Sequence, residues 1–132
     1  MKLITQEAPM GCAIACAASL AGISYKKMKN YFNDADSRER ICGFFNRDII
    51  LALSRVNLIA KAYSVRRWNS RSFKMGAIVF IGRSKKYPAG HYLLKTKKGW
   101  MNPWLNYPNI NPAKAGFQKK ILDEIKWIIE PR

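Results

Sequence analysis

Residues 6–22 read QEAPMGCAIACAASLAG, and this stretch predicts how the chain begins to fold. The alanine-rich run is typical of a buried helix, and Gly22 suits a helix C-cap. A helix over residues 10–22 would hold Cys12 near its N-terminus, where unpaired backbone amides and the helix dipole favour an anion. We therefore expect a Cys12 pKa well below that of a free thiol.

The hydrophobic pattern predicts helices in the first half of the chain and strands in the second. Helical spacing of apolar residues indicates further helices over 25–33, with Ser24 as its cap, and over 45–56, with a polar loop over 33–40 between them. Strands are predicted at 58–65 and 76–81 and in a hairpin of 90–96 with 100–101; an irregular connection over 103–116 follows. Residues 121–129 fit a helix or a strand, and we favour a strand over 125–129. This order predicts an α+β domain over 1–132 with N-terminal helices packed on an antiparallel sheet.

Composition indicates a folded protein in a reducing compartment. The 132 residues are 48% hydrophobic, and no run suggests a signal peptide or a transmembrane segment. The three cysteines cannot all pair within one chain, and Cys12 and Cys16 do not form a CxxC motif. We therefore expect a cytoplasmic protein with no cofactor or metal, although delivery to another cell by a non-classical route stays open. Cys16 and Cys42 are predicted to be buried packing residues.

The charge is strongly and unevenly positive. The net charge is +16, and residues 49–122 contain 15 Lys or Arg and no Asp or Glu. Such a segment attracts nucleic acid, an anionic surface or an acidic protein substrate. Basicity that serves solubility alone is an equally open interpretation.

Four residues suggest a nucleophilic site. His91 is the only histidine, so a Cys12–histidine site has a single candidate base. The predicted hairpin brings Asn102 close to His91, where an amide oxygen can accept the imidazole N–H and fix its tautomer. Gln6, six residues before Cys12, carries an amide that can donate to an oxyanion beside the Cys12 backbone N–H. Trp100, Trp104 and Trp127 are predicted to form core and groove walls.

The order of these landmarks resembles the peptidase C39 group of papain-like cysteine peptidases, which remove leaders from double-glycine peptide precursors. The resemblance implies a papain-like fold, Cys12 as nucleophile, His91 as general base and acid, Asn102 as the residue that orients His91, and Gln6 at the oxyanion hole. Gly11 stands where that group commonly has Asp, and Asn102 replaces its more frequent Asp. The family is commonly fused to a transporter, of which this chain shows no part, so export of a leader peptide's cargo does not follow from the resemblance.

The sequence therefore predicts a C39-like cysteine hydrolase that acts through an acyl-enzyme on a peptide or protein substrate, and the basic segment suits an acidic one. Hydrolysis of a backbone amide would be proteolysis and hydrolysis of a Gln side chain deamidation, and both stay open. The alternative is a catalytically silent papain-like module that binds nucleic acid or an acidic protein through its basic face.

Overall fold

A computed structural model describes residues 1–65 and 73–132. The basic pair Arg66-Arg67 lies outside the described residues. The helices are α1 (Cys12–Ala21), α2 (Tyr25–Lys29), α3 (Ala35–Arg38) and α4 (Asn46–Ser54). The strands are β1 (Ala60–Ser64), β2 (Ile78–Ile81), β3 (His91–Thr96), β4 (Gly99–Asn102), β5 (Gly116–Gln118) and β6 (Ile125–Pro131).

The strands form one six-stranded sheet in the order β1-β6-β2-β3-β4-β5, and every neighbouring pair is antiparallel. Strands β2 to β5 follow one another in both sequence and space. The C-terminal strand β6 instead lies between β1 and β2, so the end of the chain joins the first strand to the rest of the sheet. The α+β class predicted from the sequence is confirmed, as is the strand at 125–129.

Helix α1 lies in the main core, among residues of the sheet and of the other helices. Residues Cys12–Ser19 are buried, and Ile14 to Ala18 have no exposed surface. The large aliphatic residues and methionines that surround the helix in this core are Met28, Ile49, Leu53, Ile78, Leu94, Met101 and Ile129. Small side chains allow this close approach, which explains why the helix is so rich in alanine.

The other face of the sheet carries a second, smaller core. Val79 and Leu93 belong to it, whereas their neighbours Ile78 and Leu94 belong to the core around α1. This alternation is the period of two expected for a strand covered on both faces. The continuous apolar run at 76–81 was predicted to be a buried central strand, and β2 confirms that prediction.

The polar segment 33–40 was predicted to be a loop, and that prediction is wrong for Ala35–Arg38, which form α3. Tertiary contacts hold this short helix. The Arg38 guanidinium donates to Asp48 Oδ2 at 2.8 Å and to Gly43 O at 3.2 Å. Such long-range partners leave no periodic signal in the segment itself, so the helix could not be read from it.

Helix α2 and strand β5 also differ from the predictions. Ser24 caps α2, as predicted, but the helix ends at Lys29 rather than near residue 33, because the next residues form tighter turns with bonds three residues apart. Strand β5 continues from the predicted irregular connection. It pairs with β4 through Met101 and Phe117, a long-range contact that its short sequence does not reveal.

The three cysteines are free thiols. Cys16 is fully buried in α1, as predicted, whereas the prediction that Cys42 is buried is wrong, because its residue is exposed. Across residues 1–65 and 73–132, no helix has the length and apolar character needed to cross a membrane.

We expect Leu94→Ala to lower the free energy of unfolding by about 2–5 kcal/mol, because it leaves a cavity beneath α1. Leu94 has no exposed surface, whereas Leu122 is 92% exposed and offers a matched control. Leu122→Ala should change stability by no more than about 0.5 kcal/mol. Urea denaturation of the three proteins measures both values, and equal losses in the two variants would contradict this core assignment.

Candidate active site

Cys12 is the first residue of α1, and the chain before it is held tightly. Gly11 is the N-cap, and a Cβ at that position would lie 2.1 Å from Tyr25 Oη, so the site requires glycine. The Cys12 backbone N–H has no acceptor among the described residues, as expected for the first turn of a helix.

A buried carboxylate fixes the segment that leads to Cys12. Glu39 accepts a hydrogen bond from Tyr25 Oη at 2.7 Å and forms an ion pair with Lys29. Its backbone carbonyl accepts the Met10 N–H at 2.7 Å. The Tyr25 hydroxyl that excludes a side chain at Gly11 is therefore held in place from α3, and the position of Cys12 depends on both contacts.

His91 begins β3 and is almost fully buried, with 3% of its surface exposed. The preceding Gly90 has a φ of +78°, and a Cβ there would lie 2.3 Å from Phe80 Cζ. Only glycine satisfies both the backbone angle and the close approach. Gly90 thus determines how the chain enters β3 and the backbone position from which the His91 side chain extends.

Asn102, the last residue of β4, is joined to His91 by a hydrogen bond of 2.8 Å between Nε2 and Oδ1. Its amide has four partners. Oδ1 also accepts the Trp104 N–H at 2.9 Å, and Nδ2 donates to Tyr87 Oη at 2.8 Å and to Gln118 Oε1 at 2.9 Å. Because Oδ1 can only accept, the His91 proton lies on Nε2, and Nδ1 is left as the basic nitrogen.

Tyr87 supports both members of this pair. Its ring stacks on the His91 imidazole with a centroid distance of 4.1 Å and an interplanar angle of 1°. Its hydroxyl accepts from Asn102 and donates to Trp104 O at 3.0 Å. The predicted proximity of Asn102 to His91 is therefore present, within a network that the sequence did not reveal.

Sequence reasoning missed Tyr87 and Gln118, because their roles depend on the turn before β3 and on strand β5, which meet Asn102 only in the folded chain. Tyr87 lies in the turn before β3, whose Ser84 N–H donates to Tyr87 O at 3.0 Å. Gln118 belongs to β5, and its own Nε2 donates to Lys120 O at 2.8 Å, which leaves Oε1 for Asn102. The position of Tyr87 four residues before the only histidine was the one available signal.

Cys12 lies close to this network but is not bonded to it. Its sulfur lies near the backbone N–H of Tyr92, the residue that follows His91. The hydrogen bonds of residues 1–65 and 73–132 include none between Cys12 Sγ and the imidazole. For catalysis, Cys12 Sγ and the His91 imidazole must therefore move closer together, as reacting groups in ligand-free sites often do.

The expected low Cys12 pKa is contradicted. Burial raises the pKa of the thiol to about 11, and this outweighs the backbone amides of Tyr92, Ala13 and Cys12 itself, which lower it. Burial also lowers the pKa of His91 to about 4; the bond to Asn102 acts against this shift, and the charge of Lys86 adds to it. At neutral pH the resting pair is therefore a thiol and a neutral imidazole.

Gln6 is buried beside the loop before Cys12, and its backbone N–H donates to Pro103 O at 3.2 Å. Its Nε2 donates to Ala8 O and Pro9 O, both at 3.0 Å, while Oε1 is buried and has no hydrogen-bond partner in residues 1–65 and 73–132. In this arrangement both amide protons are used. Donation to an oxyanion requires the amide to turn and give up these two bonds.

A cleft of about 580 Å³ opens beside Cys12, and we call it the Cys12 cleft. Its walls include Phe44, Phe45, Arg47, Arg83, Tyr92 and Trp127. Trp127 is 40% exposed in this wall, and Trp100 and Trp104 are buried, so the prediction of core and groove walls is confirmed. Within the described ranges, no three His, Cys, Asp or Glu side chains are grouped so as to hold a metal ion.

No family model, curated protein or solved structure matches the chain. The resemblance to the C39 group therefore depends on the residues of the chain itself.

The buried histidine should make stability depend on pH. Unfolded His91 binds a proton below about pH 6.5, but the folded residue does so only near pH 4, so unfolding becomes easier as the pH falls through this window. When the pH falls from 7.5 to 5, the free energy of unfolding of the wild type should decrease by about 2 kcal/mol more than that of His91→Gln, which lacks the titrating group. Urea denaturation at each pH measures the difference, and parallel pH profiles would contradict it.

Tyr87→Phe should lower the free energy of unfolding by about 1–3 kcal/mol, because Trp104 O and one Asn102 N–H lose their partner in a buried site. Tyr107→Phe is the matched control: its ring packs on the same cluster, but its hydroxyl bonds to none of the described residues. The free energy of unfolding of Tyr107→Phe should fall by less than about 0.5 kcal/mol. Thermal or urea unfolding compares the two variants, and similar losses would argue against the network.

Proposed function

We propose that the chain is a cysteine hydrolase of papain-like fold that cleaves a peptide or side-chain amide through an acyl-enzyme. The observation that carries this proposal is the 2.8 Å bond between His91 Nε2 and Asn102 Oδ1, which leaves Nδ1 as a base. A nucleophilic residue, Cys12, begins a helix near the same strand end and opens on a cleft. This set of groups suits acyl transfer.

The first half of the reaction begins with two neutral groups. Cys12 Sγ attacks the amide carbonyl carbon as its proton passes to His91 Nδ1, so the charges form only when substrate is present. The hydrogen bond to Asn102 stabilises the imidazolium that results. The unpaired Cys12 backbone N–H is the available donor for the oxyanion, and Gln6 Nε2 becomes a second one if its amide turns.

The second half releases both products. His91 gives its proton to the leaving amine, the C–N bond breaks and a thioester remains on Cys12. Water then gives a proton to His91 as it attacks the thioester, the C–S bond breaks to free the acid, and His91 returns the proton to Sγ, which restores the thiol. A backbone amide gives proteolysis and a Gln side chain gives deamidation plus ammonia, by the same steps. The three free thiols suit a reducing compartment, and we place the enzyme in the cytoplasm.

A second candidate function is binding of a polyanion by a surface remote from Cys12. Lys97 and Lys98 form the β3–β4 turn, and Lys119 and Lys120 follow β5; all four are exposed. An ideal Cβ on Gly99 would lie 3.8 Å from Lys119 Cα, so the two pairs are adjacent. We call them the basic hairpin surface. It lies at the far end of β3 from His91, about 17 Å along the strand.

An epoxysuccinyl peptide such as E-64 should label Cys12 in a Cys42→Ser background, which removes the exposed thiol beside the cleft. His91→Ala should slow this labelling by about 100-fold or more, because the base is lost. Peptide mapping by mass spectrometry locates the label. Hydrolysis of a peptide pool should be lost in Cys12→Ala.

The contrary result would be an unlabelled Cys12 together with retention on heparin that falls steeply with salt. If that retention persists in Cys12→Ala and is lost when the basic hairpin surface is changed to glutamate, the chain is the silent binding module instead.

A further inference from the structure

The Cys12 cleft has charges of only one sign. Its charged lining residues are Arg47, from the first turn of α4, and Arg83, from the segment after β2. Both residues are exposed, and no Asp or Glu is among the described residues that line the cleft. An anionic group that enters the cleft therefore meets two guanidinium groups and no repelling carboxylate.

Neither arginine forms an ion pair within the described residues, although the charge of Arg47 also acts on the neighbouring Asp48, whose carboxylate is bonded to Arg38. The Arg47 guanidinium stacks on the Phe45 ring, with Cζ 4.9 Å from the ring centroid. The nearby Arg38 shows the contrast, because its guanidinium is occupied by Asp48 at 2.8 Å and serves the fold. Glu124, whose backbone carbonyl accepts the Gly82 N–H at 2.9 Å, pairs its carboxylate with Lys126 at 3.0 Å.

The remaining walls suit a peptide. Phe44, Phe45, Phe80 and Trp127 provide apolar and aromatic surface, and Phe45 is 61% exposed. Asn46 Oδ1 accepts from Tyr92 Oη at 2.9 Å, which leaves its amide N–H groups as donors. The cleft volume of about 580 Å³ lies within the roughly 300–1,000 Å³ of pockets that enclose small ligands, and holds a few residues of an extended chain.

We propose that the substrate of this site is a peptide segment with an Asp or Glu close to the scissile amide, and that Arg47 and Arg83 select it. The inference rests on the proposed function for its catalytic part. A carboxylate between two guanidinium groups forms short, charge-assisted hydrogen bonds, and the isosteric amide forms weaker ones. The aromatic walls then hold the apolar neighbours of the acidic residue.

The test uses matched peptide sets in which one position near the cleaved bond is Glu, Gln or Lys. Wild type should cleave the Glu peptides at least about tenfold faster in kcat/KM than the Gln peptides, and the Lys peptides slowest. The double variant Arg47→Glu with Arg83→Glu should lose or reverse this order. Lys26→Glu with Lys27→Glu makes the same change in net charge on α2 and should retain it.

A binding arm separates failure of this inference from failure of the proposed function. Fluorescence anisotropy with Cys12→Ala protein measures affinity for the same peptides without turnover. Cleavage without acid preference, or a preference that survives the arginine reversals, overturns the inference and leaves the hydrolase. If acidic peptides bind selectively through Arg47 and Arg83 but the wild type does not cleave them, the hydrolase proposal is overturned. The proposal that the cleft selects an acidic peptide then stands. If the protein shows no cleavage and no selective binding, both proposals are overturned.

Discussion

Helix α1 packs between the sheet and the other helices with almost no exposed surface, and most of the molecule follows from this contact. The helix can lie so close only because its side chains are small, and the large apolar residues of β2, β3 and β6 fill the space around it. The same packing holds the first residue of the helix against the backbone of β3. The core and the candidate site are therefore parts of one interface.

That interface has an electrostatic consequence. Burial removes water from Cys12 and His91, and it raises the pKa of the acid and lowers the pKa of the base. The helix N-terminus does favour the thiolate, but desolvation is the larger effect. A site that rests in the neutral form has no buried charge to stabilise until a substrate arrives, and proton transfer then accompanies attack.

The Asn102 amide joins four parts of the chain. Its four hydrogen bonds reach the turn before β3, the start of β3, the loop after β4, and β5. Each partner fixes one lone pair or one proton, so the amide has a single orientation and the imidazole a single tautomer. Two groups of basic residues lie elsewhere: two arginines line the Cys12 cleft, and four lysines form the basic hairpin surface at the far end of β3.

The sequence by itself determined the buried helix after Gly11, the β2 and β3 strands, the hairpin that pairs His91 with Asn102, and the α+β class. These features depend on local periodicity and turn chemistry, which are written in neighbouring residues. Only the tertiary structure decided α3, β5, the exposure of Cys42, the role of Tyr87 and the pKa of Cys12. Each of these depends on groups distant in sequence, and for Cys12 the decisive quantity is the removal of water, which no motif encodes.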